Sequence, residues 1–247
     1  MTQDMKAQTV RIEGHLGDEV EAYLAQPMAE GSYGGVVVIH HLPGYDRSTK
    51  EIARRFAADG YIALMPNLYF REAPGASPDD AAAAARAKGG VPDERLVGDV
   101  EGAANYISAL PSSNGKVGCI GYCSGGRQSF LAATSIKLDA AVNCYGGALV
   151  YGTPPESPLK MAPLLGRAKD LSCPLLGLFG AEDTHPSPEE VEVLAKELEA
   201  YGKTYEFHSY PGASHAFFNV DRPSYRPEAA LDAYGKLNDF FGRYLAS

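Results

Sequence analysis

Short apolar runs rich in β-branched residues recur at residues 35–40, 61–65, 116–120, 140–144 and 174–179. Each is bounded by turn-forming residues, and longer stretches with helical spacing stand between them. Such runs read as strands buried on both faces, and their alternation with helices builds a parallel sheet covered on either side. Two earlier runs, 9–12 and 20–25, lie close enough to pair as an antiparallel edge, and 204–210 reads as the last strand. Helices are expected at 93–110, stopped by Pro111, from Ser124 onward, at 188–201 and at 227–244. Ser48-Thr49-Lys50-Glu51 has the form of a capping box, and Gly60 closes the helix it opens. The alanine run at 81–85 reads as an ordinary helix segment, alanine having the highest intrinsic propensity. Residues 148–171 are proline-rich and lack a clear period. So long a connection is a lid or active-site wall, or a surface excursion with one short helix at about 159–167.

The composition, with 45% hydrophobic residues over 247, suffices for a substantial core, and no linker divides the chain. One α/β domain spanning 1–247 is therefore expected, with a mostly parallel central sheet, helices on both faces and an N-terminal antiparallel edge. A formal net charge of −9 argues against a nucleic-acid partner, whose backbone demands a basic face. No apolar run reaches the length of a membrane span, and Met1-Thr2-Gln3-Asp4-Met5-Lys6 has no signal-like apolar region, so a cytoplasmic protein is expected. The four cysteines include no Cys-x-x-Cys pair, which leaves disulfide frameworks and zinc ribbons unsupported. No Gly-x-x-x-x-Gly-Lys loop is present to hold a nucleotide, and no cofactor is expected. Cys119, Cys144 and Cys173 lie in or beside apolar runs, where a small hydrophobe suits. Cys123 alone sits at a turn.

That turn, Gly121-Tyr122-Cys123-Ser124-Gly125, follows a strand and precedes a helix. It has the Gly-x-nucleophile-x-Gly form in which a sharp strand-to-helix turn lifts one side chain above a sheet. The glycines are needed because strand and helix backbones approach too closely for a Cβ. A thiol here gains from the helix N-terminus, and an imidazole would lower its pKa further. Of six histidines, His215 is best placed, in a loop just beyond the last strand, whereas His208 falls within that strand. Asp183 follows the strand before it and holds an imidazole more rigidly than the longer Glu182. The order Cys123, Asp183, His215 is the nucleophile–acid–base order of the α/β-hydrolases. The oxyanion hole is expected from the backbone N–H of Ser124 and of Leu42, in the loop after the 36–40 strand. His40 and His41 are adjacent, so as strand residues they face opposite ways and argue against a shared metal ion. One is expected to pack under the loop, with His41 facing the active site. Tyr45, Tyr122, Tyr145 and Tyr225 are candidates for the cavity wall.

Together with Val36-Val37-Val38-Ile39-His40, Asp59-Gly60-Tyr61-Ile62-Ala63, Pro66-Asn67-Leu68-Tyr69, Leu178-Phe179-Gly180-Ala181-Glu182-Asp183 and Ser214-His215-Ala216-Phe217-Phe218, the elbow makes the chain resemble the dienelactone hydrolase family of α/β-hydrolases. The resemblance implies a Cys123-His215-Asp183 triad that opens enol-lactones or cleaves related activated esters through a thioester acyl-enzyme. It also exposes departures. At His41 the best-known members carry a glutamate that helps activate the thiol, and their carboxylate-binding arginine after the catalytic histidine is out of register here. Arg86, Arg95, Arg222 and Arg226 are the arginines near the expected mouth. The expected partner is a small-molecule ester or lactone, bound by a monomer or small homo-oligomer with no nucleic acid or membrane. Acyl transfer or promiscuous esterase or phosphotriesterase activity on the same site is the alternative, and a non-catalytic thiol sensor or ligand-binding protein is the rival outside enzymes.

Overall fold

The computed structural model describes residues 4–41 and 44–246. Eight strands hydrogen-bond in the order Met5–Glu13, Glu19–Pro27, Ile62–Pro66, Tyr33–Ile39, Ser113–Tyr122, Ala140–Cys144, Leu175–Gly180 and Tyr205–Tyr210. The chain forms two compact units, one running to Cys119 and taking in the last residues from Leu245, the other Ile120–Tyr244.

In the first unit, β1 (Met5–Glu13) and β2 (Glu19–Pro27) pair antiparallel throughout, Val10 opposite Ala22 and Ile12 opposite Val20. β2 continues antiparallel onto β4 (Ile62–Pro66), which pairs parallel with β3 (Tyr33–Ile39). Every residue of β4 is buried, and so are all but the first of β3. Coverage of both faces explains why these strands read as unbroken apolar runs while exposed β1 does not. Three helices, α1 (Arg47–Ala58), α2 (Pro78–Ala87) and α3 (Asp93–Ser108), complete the unit with the first part of β5 (Ser113–Tyr122). α1 corrects the expected capping box at Ser48. Its cap is Asp46, whose carboxylate accepts both the Thr49 N–H at 2.7 Å and the Thr49 hydroxyl at 2.8 Å. Aspartate and serine cap about equally well, and the carboxylate also sets a negative charge at the helix N-terminus.

In the second unit, α4 (Ser124–Ala133) leaves the end of β5 directly, and β6 (Ala140–Cys144), β7 (Leu175–Gly180) and β8 (Tyr205–Tyr210) run parallel. α5 (Pro188–Ala200) opens on a capping box formed by Ser187 and Glu190, and α6 (Pro227–Leu245) is the last helix. The excursion after β6 departs from expectation: residues 159–164 are irregular and a 3-10 turn occupies Leu165–Asp170. Its neck is closed by the Leu149 carbonyl, which accepts the N–H groups of both Leu164 and Leu165. Further out, the Thr153 N–H donates to the Met161 carbonyl at 2.9 Å. These bonds satisfy the backbone locally, so the segment is a closed loop without needing a longer helix.

Candidate active site

The predicted cysteine, aspartate and histidine follow the carboxyl ends of β5, β7 and β8, all within the second unit. Cys123 sits between β5 and α4 with φ 55°, a backbone conformation that costs a side-chain-bearing residue about 1–3 kcal/mol. A Cβ on Gly121 would collide with the Gly125 carbonyl, and one on Gly126 with the carboxamide of Asn143. The sharp turn is thus possible only with glycine beside it. The Cys123 N–H donates to the Cys144 carbonyl at 3.0 Å, anchoring the elbow to β6. The same tight turn leaves Ser124 at the first helical position, where no intrahelical carbonyl is available to its N–H.

Asp183 and His215 are brought together by backbone bonds between their loops. Ala181 N–H donates to the Tyr210 carbonyl at 3.0 Å, and Glu182 N–H to that of Ala213 at 2.9 Å. The Asp183 carboxylate, 1% exposed, accepts His215 Nδ1–H through Oδ2 at 2.8 Å. Its Oδ1 accepts the His185 N–H at 2.8 Å. That second bond escaped the sequence reading, although Asp183-Thr184-His185 has the spacing of an Asx turn. Burial alone would lower the His215 imidazole, but hydrogen bonds to Asp183 and the Cys123 sulfur, with their negative charge, carry it up to about 10. Imidazolium is therefore its form at neutral pH.

An aromatic cluster backs the imidazole. Tyr145, at φ 42° and 2% exposed, stands edge-on to His215 with ring centroids 5.2 Å apart and touches Phe217 at 5.5 Å. Burial pushes the Tyr145 phenol well above its usual range, aided by the charges of Cys144 and Cys123, so it stays neutral. Tyr122 packs edge-on to Phe218, which in turn meets Tyr234 of α6. Arg127, one turn beyond Cys123 and 2% exposed, donates to the Ala162 carbonyl at 2.8 Å and so ties the excursion to α4. Sequence reasoning missed Arg127, Asn143 and Tyr234, because a single polar or aromatic residue within a strand or helix carries no positional signal.

The other candidates are placed as follows. His40 is buried and accepts the Leu68 N–H through Nε2 at 3.1 Å, so its Nδ1 proton points to the His41 carbonyl, with the Tyr69 ring edge-on at 4.7 Å. Desolvation lowers its pKa to about 4. His40 is thus the packed member of the pair, while His41 is half-buried in the first unit. Tyr45 is buried with the Lys50 ammonium 3.9 Å from its ring centre. Arg95 is held by Glu72, and Arg226 by the carbonyls of Gly212, Pro223 and Tyr225. Arg86 and Arg222 are exposed, and Tyr225 is half-buried. Leu42 lies outside the described residues. His208 is bonded to Glu206 within β8, Glu182 is exposed, and Cys119 and Cys144 are buried while Cys173 is half-buried. Among the described residues no cluster of metal-ligating side chains occurs and no helix is long and apolar enough to cross a membrane.

Comparison with known proteins gives a consistent picture. A sequence profile described as "Dienelactone hydrolase family" matches residues 20–245. A provisionally named carboxymethylenebutenolidase of Synechocystis sp. is 32% identical over 98% of both chains. A Salmonella typhimurium protein of the same provisional name is 35% identical over 92% of this chain and 84% of its own. The crystal structure of a provisionally named dienelactone hydrolase from Klebsiella pneumoniae superposes with a TM-score of 0.86 at 30% identity, covering 98% of this chain and 100% of that one. An acylaminoacyl peptidase of Pyrococcus horikoshii, at 18% identity and TM-score 0.74, shares the fold over 100% of this chain and 43% of its own.

Proposed function

The chain belongs to the dienelactone hydrolase family, and from that premise we propose that it hydrolyses activated esters or enol-lactones, with Cys123 as nucleophile, His215 as acid and base, and Asp183 orienting the imidazole. The observation that carries this reading is the hydrogen-bonded run from Asp183 through His215 to the Cys123 sulfur, at a strained turn opening a helix. Thiolate is the form that attacks, and the imidazole beside the sulfur is the group placed to take its proton.

The Cys123 sulfur bonds to the substrate carbonyl carbon and the oxyanion is received by the Ser124 N–H. On collapse, the C–O bond breaks, the leaving oxygen takes the proton of His215, and a thioester remains. Its sulfur no longer carries charge, so one of the influences holding the proton on His215 disappears and the ring becomes neutral. It then takes a proton from water as that water attacks the thioester, and the thiolate leaves with the acid released. Thiolate departs more readily than most alkoxides, so a simple alkyl ester returns to the starting state. Enolate or phenolate leaving groups carry the reaction forward. At position 41 an imidazole cannot reproduce the charge of the family's carboxylate, but it can serve as a hydrogen-bond donor or as a cation. A soluble monomeric or small oligomeric enzyme of the cytoplasm fits this chemistry.

Hydrolysis of a phenyl ester by wild type and by Cys123→Ala tests the assignment. The variant is expected to lose at least about a thousandfold in kcat/KM, and equal rates would sink it. A thiol sensor would lack an acyl burst while still alkylating rapidly at Cys123, and the buried state of Cys119 speaks against its serving as a resolving thiol.

A further inference from the structure

Asn143 is fully buried in β6, where every neighbour along the strand is apolar. Its carboxamide oxygen accepts the Gly146 N–H at 2.7 Å. The same oxygen occupies the space that a Cβ on Gly126 or on Gly146 would need. It is therefore wedged between the first turn of α4 and the turn leaving β6. That turn serves the site twice over. Its Cys144 carbonyl accepts the Cys123 N–H, and its Tyr145, held at positive φ, lies edge-on to the His215 ring. The amide nitrogen of Asn143, meanwhile, is buried with no hydrogen-bond partner among the described residues. An apolar side chain would spare the buried amide nitrogen but leave the Gly146 N–H without its acceptor. The oxygen is the part that the position requires.

We propose that Asn143 is a positioning residue of the active site: by locking the 144–146 turn it holds both the Cys123 elbow and the tyrosine ring packed on His215 in their working geometry. The proposal rests on Cys123 and His215 acting as the reactive pair. Asn143→Ala removes the acceptor, and Asn143→Ser offers a shorter one, since serine hydroxyls make the same kind of turn less strongly.

The test follows alkylation of Cys123 by iodoacetamide against pH, with the modified peptide identified by mass spectrometry, together with kcat and KM for a phenyl ester and the thermal midpoint. In Asn143→Ala, kcat is expected to fall about tenfold with KM within about twofold. The acid limb of its alkylation profile should move up by about one pH unit, and Asn143→Ser should fall between it and wild type. A purely structural role would lower the midpoint and leave the limb in place. A folded Asn143→Ala with the wild-type limb, or a serine variant displaced as far as the alanine one, overturns the proposal. If the alanine variant does not fold, the serine variant decides: a displaced limb supports the proposal and an unchanged one overturns it. Should wild-type Cys123 alkylate like an ordinary thiol and cleave no ester, the reading of the reactive pair fails instead, and the two failures are told apart.

Discussion

At Asp183 both carboxylate oxygens are engaged, one by the His215 ring and the other by the His185 N–H, so the imidazole is steered by a group that cannot itself swing. Asp183→Asn would present an amide to Nδ1 and favour the wrong tautomer. A loss of about 10²–10⁴ in kcat is expected for a phenyl ester, with little change in KM, and an asparagine variant of normal rate would remove Asp183 from the mechanism. His40 works differently. It is neutral in the folded chain because burial lowers its pKa to about 4, whereas the unfolded side chain titrates near 6.5. Below pH 6.5 the unfolded state therefore binds a proton that the folded state refuses. Stability contributed by neutral His40 is complete above that pH and falls as pH drops toward 4, by up to about 3 kcal/mol. Urea denaturation of wild type and His40→Gln at pH 7 and pH 4.5 measures it. The acid loss should shrink in the variant, and an identical loss in both would place the effect elsewhere.

Strand-to-helix geometry decides what a whole element can tolerate. β5 passes into α4 with no intervening loop, and Gly121 faces the Gly125 carbonyl at a separation no Cβ can share. Gly121→Ala should cost more than about 2 kcal/mol in denaturant unfolding or prevent folding outright, and a neutral substitution would mean the turn is looser than it stands. The elements themselves were largely legible. Doubly buried β3, β4 and β6 announced themselves as continuous apolar runs, and α5 starts at Pro188, where it was expected. The cap of α1 was misplaced because Asp46 and Ser48 are both good caps, and only the path of the preceding loop chooses between them. The 148–171 excursion was illegible for a related reason: its order comes from carbonyls such as Leu149 and from the Arg127 guanidinium, not from any hydrophobic period. At the site, motif order placed Cys123, Asp183 and His215. Asn143 could not be read, since its value lies in what its oxygen touches in three dimensions.

For the molecule as a whole, the charge of −9 sets a field that any anionic substrate must cross. For a carboxylate-bearing lactone, kcat/KM should rise about two- to threefold between 10 mM and 0.3 M salt, while a neutral phenyl ester shows no such trend. A fall with salt would point instead to a local cationic cluster that outweighs the global field. The family resemblance covers residues 20–245, yet the excursion after β6 is built so that its outer part is independent of the rest. Thr153 and Met161 meet through a backbone bond, and inside them Leu149 gathers the returning strand of chain. Residues 154–160 consequently begin and end at almost the same point, and whatever length or chemistry is inserted there leaves the entry and exit of the chain where they were. The fold thereby contains a segment whose length and chemistry can vary without disturbing the turn that carries Cys123.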